Sequence, residues 1–576
     1  MKRKLLSILL VASMVTSLTA CGSETGTGAA TTSGNAAASS ATDAAVVEEN
    51  LNYSYGLQET FYSDEPVTYS MFFSDANWYP LVERWQTEGV FAKITERTNV
   101  TLDITSYDSG SYDEKIALNI NAGESAYIIP KVYDESEFVD GGAVVPVSDY
   151  VQYMPNYQNF VETYNMQPDI DTITRADGKY YRLPGMLEQP LQDYTFILRK
   201  DLFDAAGVDV AGMEETWTYE DLYNALVDVK AYMVSEGMCS EDDYIWSDLW
   251  SGSESGQNSG GNLLKIIGAA YGVPSGWAVS DCITYDQEQG QWYLSSTTEE
   301  YKEFITIVNK FVEGGILDPE TFTQDDTTAT SKFYRGESVI MSVNRGQYAT
   351  FLTGLDEGVG AGNYETYICV SPTGNNNFIA ENTRLENGVM ISTNALEELG
   401  EEDFIKMLRF VDWLWYSDEA YDLIKWGVEG ETYEVVDGNK QLLDQWYCGG
   451  LGIAATDDTT QQDLRLELGY ACGNFFYGHT VAQMTDNFSP QIQDYSNRVA
   501  SYRDVRPINP ALASTADENE MINLWKTPLI DNINTWTLQF ITGQKDIETD
   551  WDAYVTSCEN LNSVALVDLY NEINSR

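Results

Sequence analysis

The sequence predicts an α/β fold built as two units in one chain. Between Val67 and Val147, alternating apolar residues give way repeatedly to helical faces. The same alternation restarts at Tyr194, and no stretch of disorder-prone composition separates the two. Strand, helix and strand at this spacing means a parallel sheet with helices on its faces.

Each element has a local reason. Val67, Tyr69 and Met71 alternate and run into Phe72 and Phe73, which predicts a strand. The loop Ser74 to Pro80 breaks it. Trp85, Val90, Phe91 and Ile94 form a helical face up to Arg97, and Val100, Leu102 and Ile104 alternate again. Tyr112 to Asn121 reads as helix and Ala126 to Val132 as a third strand. In the second unit Phe196-Ile197-Leu198 is a strand that meets Arg199-Lys200-Asp201. Asp201 is expected to cap the next helix and Gly207 to close it. Thr218 with Asp221, and Thr297 with Glu300, predict two further helix starts. Phe404, Met407, Leu408, Val411, Leu414 and Trp415 mark a buried helical face. Asp177-Gly178 and Asp437-Gly438 look like hairpin turns.

The amino-terminal end points outside the cytoplasm. Lys2, Arg3 and Lys4 precede a short apolar run, Leu5 to Leu18, then Thr19-Ala20-Cys21-Gly22. Residues 1–20 read as a secretory signal, and Cys21 resembles the lipidated cysteine of a bacterial lipobox. Two acyl chains hold firmly, because each buried CH₂ contributes about 0.8 kcal/mol. Residues 21–65 begin as Gly, Ser, Thr and Ala and are expected to be a flexible tether.

Charge and residue counts exclude several chemistries. A net charge of -58 repels nucleic acid and anionic lipid surfaces. After Cys21, Cys239, Cys282, Cys369, Cys448, Cys472 and Cys558 are spread too widely for a disulfide framework or a zinc site. Cys448 and Cys472 remain an open pairing. His479 is the single histidine, expected to be packed rather than catalytic, and no strict calcium loop is present. Ser251 to Asn262 is Gly-rich but lacks the Gly-Lys-Ser/Thr end of a phosphate cradle. No metal or other cofactor is expected.

Seven stretches in order carry a resemblance. "FAKITERTNVTLDI", "YRLP", "ILRKDLFDAAGVDV…TWTYEDL", "AAYGVPSGW", "STTEEYKEFITIVNKFVEGGILDPETF", "KFYRGESVIMSVNR" and "WGVEGETYEVVDG" span most of the chain, and "ITGQKDIETDWDAYV" follows. Together they resemble the family 1 extracellular solute-binding proteins of ABC importers, the group of maltose-binding protein, in its long lipoprotein subgroup. Ser125-Ala126 and Thr432 depart from the usual Pro-Asp and His of that family. The resemblance implies a bilobal, periplasmic-binding-protein-like (type II) fold, two doubly wound lobes joined by a hinge. The lobes would be 66–187 with 372–425, and 188–371 with 426–576. It implies no catalysis, a monomer, and ABC permease subunits as partners at the outer face of the cell membrane.

Carbohydrate is the expected ligand. A sugar's C–H face stacks on aromatic rings, and its hydroxyls need polar partners. In open α/β sheets ligands sit beyond the carboxyl ends of strands. Loops in such places carry Asp75, Asn77 and Trp78, then Tyr133, then Arg345. Trp250 and Trp277 flank the Gly-rich loop, and Trp426 and Glu429 lie in the Gly-x-Glu-Gly box. A peptide or uronate ligand, or a surface polysaccharide-degrading enzyme, stays open on sequence alone.

Overall fold

The computed structural model describes residues 52–576 except 77, 140, 251–260, 382, 457–459 and 476–477. The expected signal segment, Cys21 and the tether as far as residue 51 lie outside the described residues, as does Asn77. Residues 52–65, expected in the tether, are folded instead. Tyr53 and Phe61 stack at 5.6 Å, and Phe61 meets Phe410 edge-on at 5.8 Å. These two buried rings outweigh the small polar residues around them.

The chain runs through Val67–Asp75 (β1), Val90–Thr98 (α1), Val100–Asp108 (β2), Tyr112–Ala122 (α2), Ile128–Val132 (β3) and Arg182–Leu187 (β4). A crossing at 188–193 leads to Tyr194–Arg199 (β5). Then come Tyr219–Ser235 (α3), Gly261–Ala270 (α4), the hairpin Ile283–Asp286 (β6) and Gln291–Leu294 (β7), Glu299–Glu313 (α5), Ile340–Asn344 (β8) and Thr366–Cys369 (β9). A second crossing, 370–384, returns the chain to Leu385–Ile391 (β10), Thr393–Tyr416 (α6), Asp418–Trp426 (α7) and Gly478–His479 (β11). The third crossing, 480–489, hands over to Pro490–Tyr502 (α8) and the closing helices Ala516–Ile541 (α9), Ile547–Asn560 (α10) and Ser563–Asn574 (α11).

Two sheets result. The larger has the order β11-β4-β10-β3-β1-β2 and the smaller β8-β5-β9. β1, β2, β3, β4 and β11 run toward the crossings. β10 alone opposes its neighbours, because it enters from a crossing and must run away from it. For the same reason both pairings of the smaller sheet are antiparallel, where the sequence rhythm predicts parallel ones. The stretch 426–576, expected wholly with the second unit, gives β11 to the larger sheet. The indole N–H of Trp85 donates to the Leu466 carbonyl at 2.9 Å, and Asn474 hydrogen-bonds both ways with the Ser74 backbone.

Apolar packing follows the sequence pattern. Phe72, Ile116, Ile129 and Met390 form a core under the larger sheet. Phe196, Leu226, Phe304, Phe540 and Tyr554 belong to another, which docks the closing helices onto α5. Each fully buried ring contributes on the order of 2 kcal/mol.

The charged corner differs from expectation. The Asp201 carboxylate does not cap. It pairs with the Arg199 guanidinium at 2.7 Å, since that buried cation needs a counter-charge more than the helix needs a cap. Thr218 and Asp221 do form a capping box. The next start falls one residue late, with Thr298 accepting from the Tyr301 N–H. Asp437-Gly438 joins Tyr433–Val436 to Asn439–Leu442, whereas Asp177-Gly178 turns within a loop. Cys448 and Cys472 are free, buried thiols.

Candidate ligand cleft

The first wall grows from the ends of β1 and β3. Asp75, the last residue of β1, accepts from the Leu81 N–H at 3.2 Å and the Ser106 hydroxyl at 3.1 Å. This fixes a tight turn, closed by the Tyr79 N–H on the Ala76 carbonyl at 2.9 Å. The turn presents Trp78, 42% exposed, edge-on to the buried Tyr79 at 5.7 Å. Tyr133 follows β3 and is 63% exposed. Burial nevertheless pushes its phenol up to about 12, helped by the charges of Glu386 and Tyr194. Tyr194, which acts on the Tyr133 phenol, begins β5 of the smaller sheet.

Lys131 supports the same wall. It takes a left-handed backbone (φ 65°) inside β3, and its ammonium sits 5.9 Å from the Tyr133 ring centroid. Burial lowers its pKa to about 8, against the pull of Glu386 and Cys472. Sequence reasoning missed this residue, although a lysine inside Ile128-Ile129-Pro130-Lys131-Val132 was a visible break in an apolar run.

The floor consists of crossing residues. Lys265, from α4, pairs with Glu381 of the second crossing at 3.0 Å and lies 4.5 Å over the Tyr194 ring. Glu386, at the start of β10, is raised by desolvation and then by Asp193. Glu381 is raised in the same way, with Lys265 opposing. Asp193, Glu381 and Glu386 have no signature in sequence because their meeting depends on two crossings lying side by side.

Arg345 follows β8 as expected, but it fastens the hinge. Its N–H donates to the Asp193 carbonyl at 2.8 Å, its guanidinium pairs with the Asp193 carboxylate at 2.6 Å, and it stacks 4.5 Å over Phe488. It thus ties the first crossing to the third. From the other side, Lys425 pairs with Asp486 at 2.6 Å and the Trp426 indole donates to it at 3.0 Å. Between these fasteners lies a cavity of about 330 Å³, lined by Arg345, Tyr348, Tyr421, Lys425, Asn487 and Phe488 among others.

The remaining expected residues are dispersed. Trp426 is 1% exposed and packs on Tyr433. Trp250 is 4% exposed and packs edge-on against Phe322 at 5.0 Å. Neither ring is open to a ligand: Trp250 belongs to the larger apolar core, and Trp426 is sealed against Tyr433 with its indole N–H on Asp486. Trp277 is half-buried and donates to Asn262 at 2.8 Å. Glu429 is exposed on the turn before Tyr433, where Thr432 accepts from the Val428 N–H at 2.8 Å and donates to the Trp426 carbonyl at 2.7 Å. The box is therefore a built turn. His479 is 5% exposed, sits 4.6 Å from the Tyr421 ring, and burial lowers its pKa. Among the described residues no group of three or more His, Cys, Asp or Glu is placed to hold a metal ion. No described helix is long and apolar enough to cross a membrane.

Known proteins share this architecture. A family model for bacterial extracellular solute-binding proteins matches residues 89–407. The fructooligosaccharide ABC transporter substrate-binding protein FusA of Streptococcus pneumoniae serotype 4 is 24% identical over 250 residues, 41% of this chain and 42% of that one. Lipoprotein LipO of Bacillus subtilis is 22% identical over 361 residues, 60% of this chain and 66% of that one. The chain spans less than two thirds of the length of either relative. Among solved structures, alginate-binding protein AlgQ2 superposes with a TM-score of 0.64 at 14% identity, covering 89% of this chain and 99% of that one. FusA in complex with kestose gives 0.62 at 16% identity, covering 88% and 99%. An HMO-binding solute-binding protein from Bifidobacterium longum infantis gives 0.64 at 13% identity, covering 88% and 98%. These likenesses show the fold: bilobal, periplasmic-binding-protein-like, with α/β lobes joined by a hinge. With a family model matched over more than half its length, the chain belongs to the bacterial extracellular solute-binding proteins.

Proposed function

We propose that the chain captures a carbohydrate, an oligosaccharide, in the cleft between its two sheets and delivers it unreacted to an ABC permease. It does so as a monomer at the outer face of the cell membrane, held there by lipid on Cys21. The first lobe comprises 66–187 with 385–486, and the second 194–369 with 489–576. This moves 426–486 from its expected lobe, on the support of β11 and the Trp85 and Asn474 contacts.

One observation carries the ligand reading. Two exposed rings, Trp78 and Tyr133, stand at the ends of neighbouring strands β1 and β3, and Lys131 and Glu386, which can pair with hydroxyls, act on Tyr133. The sugar-related names of FusA and of its complex with kestose support it. An aromatic face contributes about 0.5–1.5 kcal/mol beyond area, and micromolar affinity needs about 8 kcal/mol, so several contacts act together.

The test is a glycan panel titrated against purified protein by tryptophan fluorescence. A neutral oligosaccharide is expected to bind and to be recovered intact. Trp78→Ala and Tyr133→Ala should each weaken it about tenfold, equivalent to about 1.4 kcal/mol. Silence across the panel, or affinity indifferent to both substitutions, overturns the proposal.

A further inference from the structure

We infer a second ligand site, in the groove where the β6–β7 hairpin meets segment 504–509, that takes a saccharide bearing an oxyanion. The groove has a volume of about 590 Å³. Tyr271, Tyr285 and Tyr293 line it with Gln291, Asn509 and Arg506. None of Trp78, Tyr133 and Arg345 does, so it is separate from the cleft residues named above.

The groove is built on pinned backbone. The Asn509 carboxamide accepts from the Tyr285 N–H at 3.4 Å, and Gln287 donates to the Ile508 carbonyl at 3.1 Å. The Asp504 N–H donates to the Asn377 carbonyl at 3.0 Å, and the Asp504 carbonyl accepts from the Ile379 N–H at 2.9 Å. Arg506 thus lies between two pinned points of an irregular segment, Asp504 and Ile508-Asn509.

Arg506 supplies the positive charge of the groove. It is half-buried, and it makes no hydrogen bond or ion pair to any described residue. Only Asp281 and the Tyr293 phenol act on it electrostatically, while burial lowers its pKa. Elsewhere in this acidic chain several arginines sit directly on carboxylates: Arg182 on Glu135 at 2.9 Å, Arg384 on Asp169, and Arg498 on Glu214. A guanidinium that lines a groove with its donors unspent suits a planar or tetrahedral oxyanion, which it grips in a fork. The tyrosines and carboxamides around it suit the C–H faces and hydroxyls of a sugar ring. Asp286 and Glu300 also line the groove, where they can accept hydroxyls but repel an anion placed beside them. The oxyanion therefore belongs at Arg506 and the neutral ring along the hairpin. A uronate carboxylate and a sugar phosphate share this chemistry.

Ligand-observed NMR on the protein tests the inference, with D-glucuronate, glucose 6-phosphate, glucose and inorganic phosphate as probes. At least one charged sugar is expected to bind tenfold or more tightly than glucose, and the pair tells carboxylate from phosphate. Arg506→Gln should abolish that preference, Arg506→Lys should retain part of it, and Trp78→Ala should leave it unchanged. The last arm separates this site from the cleft, whose failure would spare Arg506 binding. Equal binding of glucose, an unchanged preference in Arg506→Gln, or phosphate alone binding as well as the sugar phosphate overturns the inference.

Discussion

Asp412 and Asp248 are carboxylates sealed in the two lobes, and burial pushes each up to about 6. Asp412 accepts from the Asn156 and Tyr157 N–H groups at 2.9 and 2.8 Å, and Asp248 from the Trp246 indole at 2.7 Å and the Ser342 N–H at 3.1 Å. Their folded pKa values exceed the usual carboxylate value, so between about pH 4 and 6 the native state binds more protons than the unfolded chain. Stability from these groups is therefore present at the acidic end and is lost as pH rises through that window, on the order of 3 kcal/mol for each. Denaturant melts of Asp412→Asn at pH 4.5 and pH 7 should show a flatter dependence than the parent. A parallel dependence in the variant rules this out. Residue-scale legibility was uneven. The exposed placing of Trp78 and Tyr133 was readable because each follows an apolar strand. Trp250 and Trp426 misled, since a tryptophan fills a core as readily as it faces a sugar.

At the scale of elements, β10 is closely fitted against its neighbour. A Cβ on Gly388 would lie 2.1 Å from the Leu183 carbonyl oxygen of β4, beside an irregularity in their pairing. Gly388→Ala must push the two strands apart, and about 2–4 kcal/mol of destabilisation is expected. Gly123→Ala is the comparison, since it meets no neighbour and faces only its left-handed backbone (φ 75°). Thermal melts should rank Gly388→Ala well below Gly123→Ala; the reverse order sinks the packing argument. Helices and strands with clear periodicity, such as α2, β1 and α5, were plain in the sequence. Strand direction was not, because it depends on the lobe from which the chain arrives.

The whole molecule turns on its crossings. Arg345 grips two of them, so Arg345→Ala should free the hinge, and Arg345→Lys should restore part of the constraint through its charge. Small-angle scattering without ligand should give a larger or broader radius for the alanine variant, and an unchanged curve would show that Arg345 does not hold the lobes. The net charge of -58 makes the fold repel itself, so melting temperature should climb between about 0.02 and 0.2 M salt as the screening length shortens. A flat salt response would mean that local pairing already neutralises the repulsion.

The thiols offer a practical handle. Burial raises Cys282 and Cys558 to about 11 and Cys448 and Cys472 to about 12, and Cys369 rises further still. Each of these five is enclosed, whereas Cys239, just beyond α3, is partly open to solvent. Among the described residues a maleimide dye therefore has one preferred attachment point on the second lobe. A single cysteine introduced on the first lobe would complete a donor–acceptor pair, and the opening and closing of individual molecules could be watched without stripping the native sulfhydryls.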